Sequence, residues 1–326
     1  MLTANKILAI LALGASAAVP AARAQAPAYP TKPVKLMVAF APGGATDFFG
    51  RLIGEKLQSR MGQPFVVENR VGAGGAIAAA AVARSPADGY TLLVTNRSFT
   101  TTPVTMKVAY DAIADFEPVG NMVTSYWCFA SSKQSGLKTL RDMVDYARSK
   151  PGKLTYGSIG IGSQLQLETE NFFLRHDLKG VHVPYTGVGP AITALARGDI
   201  DILFTDPGAV IPMAVADKVN VMAVAGPSRL QPLPDVATAI ESGFPDLADV
   251  GSWQALFAPK GTPVAILDAL NRQIADIMAL PEVRATLPAR AMTADGRPRD
   301  TLGKIVQSDM VKWTAIAEQA GIKLEQ

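Results

Sequence analysis

Two periods alternate along the chain. Short apolar runs bounded by proline or glycine mark strands, and apolar residues spaced three or four apart mark helices. Val34 to Phe40, between Pro33 and Pro42, reads as a buried strand. Phe49, Leu52, Ile53, Leu57 and Met61 then recur at helical spacing, which leaves Arg51, Glu55 and Lys56 for solvent. A strand over Pro64 to Arg70, an Ala-rich helix from Ile77 to Arg84 and a strand over Tyr90 to Thr95 follow. Strands alternating with helices in this way imply βαβ units and a parallel sheet.

Pro118 to Ala130 lacks a helical period and predicts one long strand leaving a first domain. A second series then begins: a helix carrying Leu140, Met143, Val144 and Ala147, a strand over Leu154 to Gly157, and a helix from Gln164 to Arg175. A strand at Val181 to Val183, a helix ending at Gly198 and strands at Ile200 to Phe204 and Val219 to Ala225 continue it. Gly226 to Asp249, rich in proline and acidic residues, reads as surface connections. A strand at Ser252 to Phe257 and helices over Val264 to Ala279 and Thr301 to Gln319 end the chain. The fold class is α/β. Small-residue loops recur where strands feed helices, on both sides of residue 118, and ligands of open α/β sheets bind at that edge. Two lobes facing each other across a cleft explain the repetition.

The first of these loops carries the sharpest chemistry. In Phe40-Ala41-Pro42-Gly43-Gly44-Ala45-Thr46-Asp47, the glycines allow positive φ and close approach of a ligand to the backbone, and Thr46 or Asp47 is placed to cap the helix. A helix start exposes unpaired N–H groups and the positive end of the macrodipole, which suit an anion. The loop has no Lys or Arg and no G-x-x-x-x-G-K-[ST] pattern, which favours a carboxylate over a nucleoside triphosphate. The alternative is a sharp βα turn and nothing more. Gly72-Ala73-Gly74-Gly75 fails the dinucleotide fingerprint because Ile77 stands where its third glycine belongs.

Composition narrows the setting. Lys6, the apolar run Ile7 to Leu13 and the small residues around Ala22-Arg23-Ala24 make residues 1–24 a secretory signal peptide. That run is too short to span a bilayer, so an exported protein without membrane insertion is expected. Removing Lys6 and Arg23 leaves 29 basic against 28 acidic residues, a net charge near +1, which gives no basis for a nucleic-acid partner. The single cysteine, Cys128, lies in an apolar run and reads as a buried thiol. His176 in a charged segment and His182 between valines lack metal-ligand partners and read as a solvated and a packed histidine. No G-x-S-x-G, H-E-x-x-H or C-x-x-C is present, and nothing calls for a cofactor or a metal.

Several segments in this order and spacing resemble the Bug or TctC group of extracytoplasmic solute receptors, which serve tripartite tricarboxylate transporters in Gram-negative bacteria. They are Pro42-Gly43-Gly44-Ala45-Thr46-Asp47, Val67-Glu68-Asn69-Arg70, Ala87-Asp88-Gly89-Tyr90, Lys150-Pro151-Gly152, His182-Val183-Pro184-Tyr185, Leu233-Pro234-Asp235-Val236 and Phe257-Ala258-Pro259. The resemblance implies a two-domain periplasmic binding protein, a type II-like Venus flytrap. Domain one would be residues 29–127 plus 251–326, and domain two residues 128–250. It also implies a periplasmic location, a small carboxylate ligand and membrane transporter subunits as partners, with a monomer as the expected state. Site residues carried over are Phe40 to Asp47, the loop Ser158 to Ser163 with Gly162, Thr186 and Gly187, and Asp206.

The chain departs from the family pattern at Thr95-Asn96-Arg97-Ser98, at Gln164-Leu165-Gln166 and at Phe48-Phe49, where specificity would be set. Arg97, with Ser98 beside it, is a candidate for bidentate pairing with a second carboxylate, against the alternative of a surface salt bridge. Phe48, Phe99 and Trp127 are candidate pocket walls for an aromatic or apolar dicarboxylate, against ordinary core packing. Asp206 would suit the ammonium of an amino acid ligand. An exported α/β enzyme acting on a carboxylate, and a receptor that signals to a sensor partner without transport, are the competing readings.

Overall fold

The computed structural model describes residues 29–322. In chain order the elements are β1 (Val34–Val38), α1 (Ala45–Met61), β2 (Phe65–Asn69), α2 (Ala76–Ala83), β3 (Thr91–Asn96), α3 (Ser98–Thr105), β4 (Phe116–Tyr126) and β5 (Cys128–Ser132). Then come α4 (Leu140–Ser149), β6 (Leu154–Ser158), α5 (Gln164–His176), β7 (Gly180–Pro184), α6 (Val188–Arg197), β8 (Ile202–Thr205), α7 (Pro207–Val215) and β9 (Val219–Val224). The remainder is β10 (Gly251–Pro259), α8 (Val264–Ala279), α9 (Pro281–Arg284), β11 (Met292–Ala294) and α10 (Arg299–Gln319).

Two mixed sheets result, ordered β11-β4-β10-β3-β1-β2 and β7-β6-β8-β5-β9. The parallel sheet expected from the first βαβ units holds only for β2-β1-β3, because β10 returns from the far end of the chain and pairs antiparallel with β3. The single strand expected over Pro118 to Ala130 is two: β4 pairs with β10 in one sheet, β5 with β8 and β9 in the other, and Trp127 is the break. The chain crosses between sheets there and crosses back before Gly251.

The helical period of α1 explains its seat. Phe49, Ile53 and Leu57 are fully buried against Leu267, Leu270 and Ile274 of α8 and one face of the first sheet. Burying one such side chain contributes about 1.5–3 kcal/mol. Small side chains of α2 and the aromatics Phe99, Trp253 and Phe257 cover the other face. A second core wraps the β5 sheet with Leu140, Phe172 and Leu195 from three helices. Trp127 and Cys128 belong to this core, where burial pushes the Cys128 thiol well up. Phe99 stacks on Tyr110 and Phe257, so core packing accounts for both Phe99 and Trp127. A fourth cluster joins the lobes: Leu167 of α5 packs on Trp313, Ile316 and Ala317 of α10. Among the described residues no helix is long and apolar enough to cross a membrane, and the signal segment 1–24 lies outside them.

Candidate functional site

β1 delivers the chain to the diglycine corner. Gly43 has φ of +88°, the left-handed region that favours glycine, and Gly44 is the N-cap of α1 without any side-chain cap. The sequence predicts capping by Thr46 or Asp47, and neither caps the helix. Both instead lie inside the first turn, since α1 starts at Ala45, and the N–H groups of Gly44, Ala45 and Thr46 have no partner among the described residues. A helix start left uncapped in this way retains its donors and its partial positive charge.

Asp47 braces the corner. Its carboxylate accepts from the Gly43 N–H at 3.0 Å, from Arg51 Nε at 3.0 Å and from Asn69 Nδ2 at 2.8 Å. Asn69 also donates to the Phe40 carbonyl at 2.9 Å, tying the other end of the loop. The Arg51 hydrogen bond, with those from Gly43 and Asn69, outweighs desolvation and holds the Asp47 carboxyl down to about 2. A carboxyl lowered in the folded state contributes stability above its unfolded value and loses it as pH falls through the folded value. In Asp47→Asn, the melting-temperature deficit against the unmutated protein should therefore shrink as pH drops from about 4 to 2. Thermal melts across that range check it; a deficit that does not change with pH would remove the ionised brace.

In the second lobe, Ser158 is fully buried at the end of β6 and hydrogen-bonds His182 Nε2 at 2.6 Å. Burial lowers His182, which keeps the imidazole neutral. Ser158 also accepts from the Gly160 N–H at 3.1 Å, and the Gly162 N–H donates to Gln166 Oε1 at 2.7 Å. Ser163 caps α5. These donors are spent inside their own loop, while Gly162 rests against Thr105 of the first lobe. Thr186 is exposed and Gly187 is the N-cap of α6. Asp206 caps α7 by accepting from the Gly208 N–H at 2.9 Å, and burial pushes its carboxyl up.

A cavity of about 460 Å³ opens at the corner. Of the candidate residues it brings together Gly43, Gly44, Ala45, Asp47 and Phe48, with Asp206 facing them from the other lobe. Phe40, Ala41, Thr46, Ser98, Ser158, Gly162, Ser163, Thr186 and Gly187 are not among its walls. Thr46 is buried and Ser98 donates its N–H to Asn96 Oδ1. Arg97 turns elsewhere: Nη1 donates to the Gly251 carbonyl at 2.8 Å and Nε lies 3.0 Å from Asp309 Oδ2. Trp253 Nε1 and Thr100 Oγ1 donate to that Asp309 oxygen, and Arg97 forms a largely buried ion pair with it on a separate cavity of about 610 Å³. His176, expected to be solvated, instead lies 2.9 Å from Asp246 and beside Phe172. Sequence reasoning missed Arg290 and Met292, which reach the cavity from the far end of the chain. No local pattern marks them.

This two-lobed α/β architecture is shared with the solved periplasmic binding protein BugD, at 28% identity and a TM-score of 0.74 over 91% of this chain and 100% of that one. The chain matches the tripartite tricarboxylate transporter family receptor, TctC, over residues 49–322, and it belongs to that family. It is 30% identical to BugT of Bordetella pertussis over 327 residues, 98% of this chain and 99% of BugT. Similar solved structures include R. palustris Rpa4515 with adipate, at 31% identity and a TM-score of 0.78 over 91% of this chain and 100% of that one. MatC from Rhodopseudomonas palustris with bound malate is 31% identical, with a TM-score of 0.74 over 88% of this chain and 99% of MatC. The family is one of solute receptors. Among the described residues, no cluster of His, Cys, Asp or Glu is arranged to hold a metal.

Proposed function

We propose that the protein captures a small carboxylate in the periplasm and delivers it to the membrane subunits of a tripartite tricarboxylate transporter. The observation that carries this reading is the uncapped start of α1, whose free N–H groups border a cavity that the second lobe closes with Asp206. Adipate and malate in Rpa4515 and MatC are ligands of the same chemistry. Export through the signal over residues 1–24 is part of the same reading.

The ligand docks first on the Gly43–Asp47 lobe, and the second lobe then closes over it. Residues 29–126 with 251–322 move as one body and residues 127–250, with Trp127 in the second core, as the other. Closure is driven only by the difference in ligand affinity between the open and closed forms. Small-angle scattering of the protein with a saturating diacid should show a smaller radius of gyration than without it. Superimposable curves would remove closure from the mechanism.

A further inference from the structure

We infer that Arg290 receives the second carboxylate of the ligand, held in readiness on the ring of Phe48, and that the receptor is thereby selective for dicarboxylates. This rests on carboxylate capture by the diglycine corner and deepens it. Two arginines line the cavity at that corner, Arg51 and Arg290. Arg51 is committed, with Nε on Asp47 at 3.0 Å and Nη2 on Asp47 and Asn69 at 2.9 and 3.1 Å. Arg290 has no carboxylate within ion-pair distance among the described residues. Its one polar contact there is Nη1 to the Thr286 carbonyl at 3.5 Å, the outer limit of a hydrogen bond.

What holds Arg290 is an aromatic face. Its guanidinium carbon lies 4.0 Å from the centroid of the Phe48 ring. Stacking of this kind fixes the guanidinium against the ring and leaves the N–H fork at its edge open for a carboxylate. Phe48 follows Asp47 on α1, so the platform and the anion-binding corner ride on one rigid element and the spacing between the two charge receivers is set by that helix. The cavity between them has room for a small diacid.

The other charges on the cavity sharpen the choice. Glu55 and Asp206 line it too, so a second negative group on the ligand is opposed except where Arg290 meets it. The turn Pro288–Arg290 also packs against α7, the helix that Asp206 caps, so the arginine sits where the two lobes meet. A ligand spanning corner and arginine touches the parts that must come together on closure.

Calorimetry with matched acids tests the role: adipate with hexanoate, malate with 3-hydroxybutyrate, and terephthalate with benzoate. The unmutated protein should bind at least one diacid well above its monoacid partner. Arg290→Gln should weaken that diacid by about 10- to 100-fold, the range of a charge-assisted pair, and change the monoacid by less than about threefold. Arg290→Lys, which keeps the charge but not the fork, should lose an intermediate amount, and Phe48→Leu should weaken the diacid in preference to the monoacid. Far-ultraviolet melts confirm that each variant folds. Equal losses of diacid and monoacid in Arg290→Gln, or no diacid preference in the unmutated protein, overturn the role of Arg290 and leave carboxylate capture standing. An unmutated protein that binds none of the six acids overturns capture itself and the arginine's role with it.

Discussion

Gly251→Ala should lower the melting temperature by about 5 °C or more, a cost of about 3 kcal/mol, although it adds a single methyl group. A Cβ at this position would lie 2.0 Å from the Ser125 carbonyl oxygen, 3.0 Å from its carbon and 3.1 Å from the Tyr126 Cα. All three are backbone atoms of β4, which pairs with β10 through Tyr126 and Gly251, so no side-chain rotation relieves the clash. The strands must part where the chain passes between the lobes. The Gly251 carbonyl also accepts from Arg97 Nη1 at 2.8 Å and from Gln164 Nε2, one residue from each lobe, so displacing it disturbs both. Ser252→Ala, next along the strand, is the control and should melt within about 1 °C of the unmutated protein, as substitutions without a cavity, a clash or a lost partner do. A Gly251→Ala protein with an unchanged melting temperature would show that the β4–β10 contact is looser than described.

Lys312→Met should produce a loss of similar size, but one that depends on pH. Glu168 of α5 has a fully buried side chain, and Lys312 of α10 reaches both of its carboxylate oxygens, at 3.3 and 3.2 Å. Removing one member of a buried pair leaves the other uncompensated, at a cost of several kcal/mol. The Lys312 side chain is 32% exposed, which reduces the expected loss at pH 8 to about 3 kcal/mol. Burial pushes the Glu168 carboxyl up, with Lys312 the main influence pulling it back. A carboxyl raised in the folded state contributes stability that is complete below its unfolded value and is lost as pH rises through the folded value. Without Lys312 it is raised further, so the deficit should be larger at pH 8 than at pH 5. Urea unfolding at both values measures it. Glu168→Gln added to Lys312→Met should recover much of the loss at pH 8, and a double variant as unstable as the single would sink the ion-pair account.

How far the letters carried can be judged element by element. The helical period of Phe49, Ile53 and Leu57 marked α1, and the prolines around Val34 marked β1, because local sequence sets both elements and the core rewards the same faces. α3 has no helical signature: Ser98–Thr105 is rich in threonine and contains Pro103, and burial against the first core holds it helical against its propensity. α7 is similar, with prolines at its start and inside it. The break at Trp127 was illegible because both halves of the run are apolar, and only their partners in different sheets separate them. At the site, the diglycine corner could be read because loop and helix start are contiguous. The Asp47–Arg51 half of the brace is an i,i+4 pair on α1, but its Asn69 half and the Arg290–Phe48 contact, between residues more than two hundred positions apart, have no local signature. The Arg97–Asp309 pair is hidden in the same way. Asp309 lies on the last helix, and no local pattern joins the two.

The pairing of the two crossings limits how the lobes travel. Tyr126 stands opposite Gly251, and the Trp127 N–H donates to the Val250 carbonyl at 3.0 Å, so the outgoing and returning segments form one ribbon. Independent tethers would let the halves twist, slide and swing. A laddered pair resists shear along its length more than bending across its flat face, so the closure proposed above would swing about this ribbon rather than slide along it.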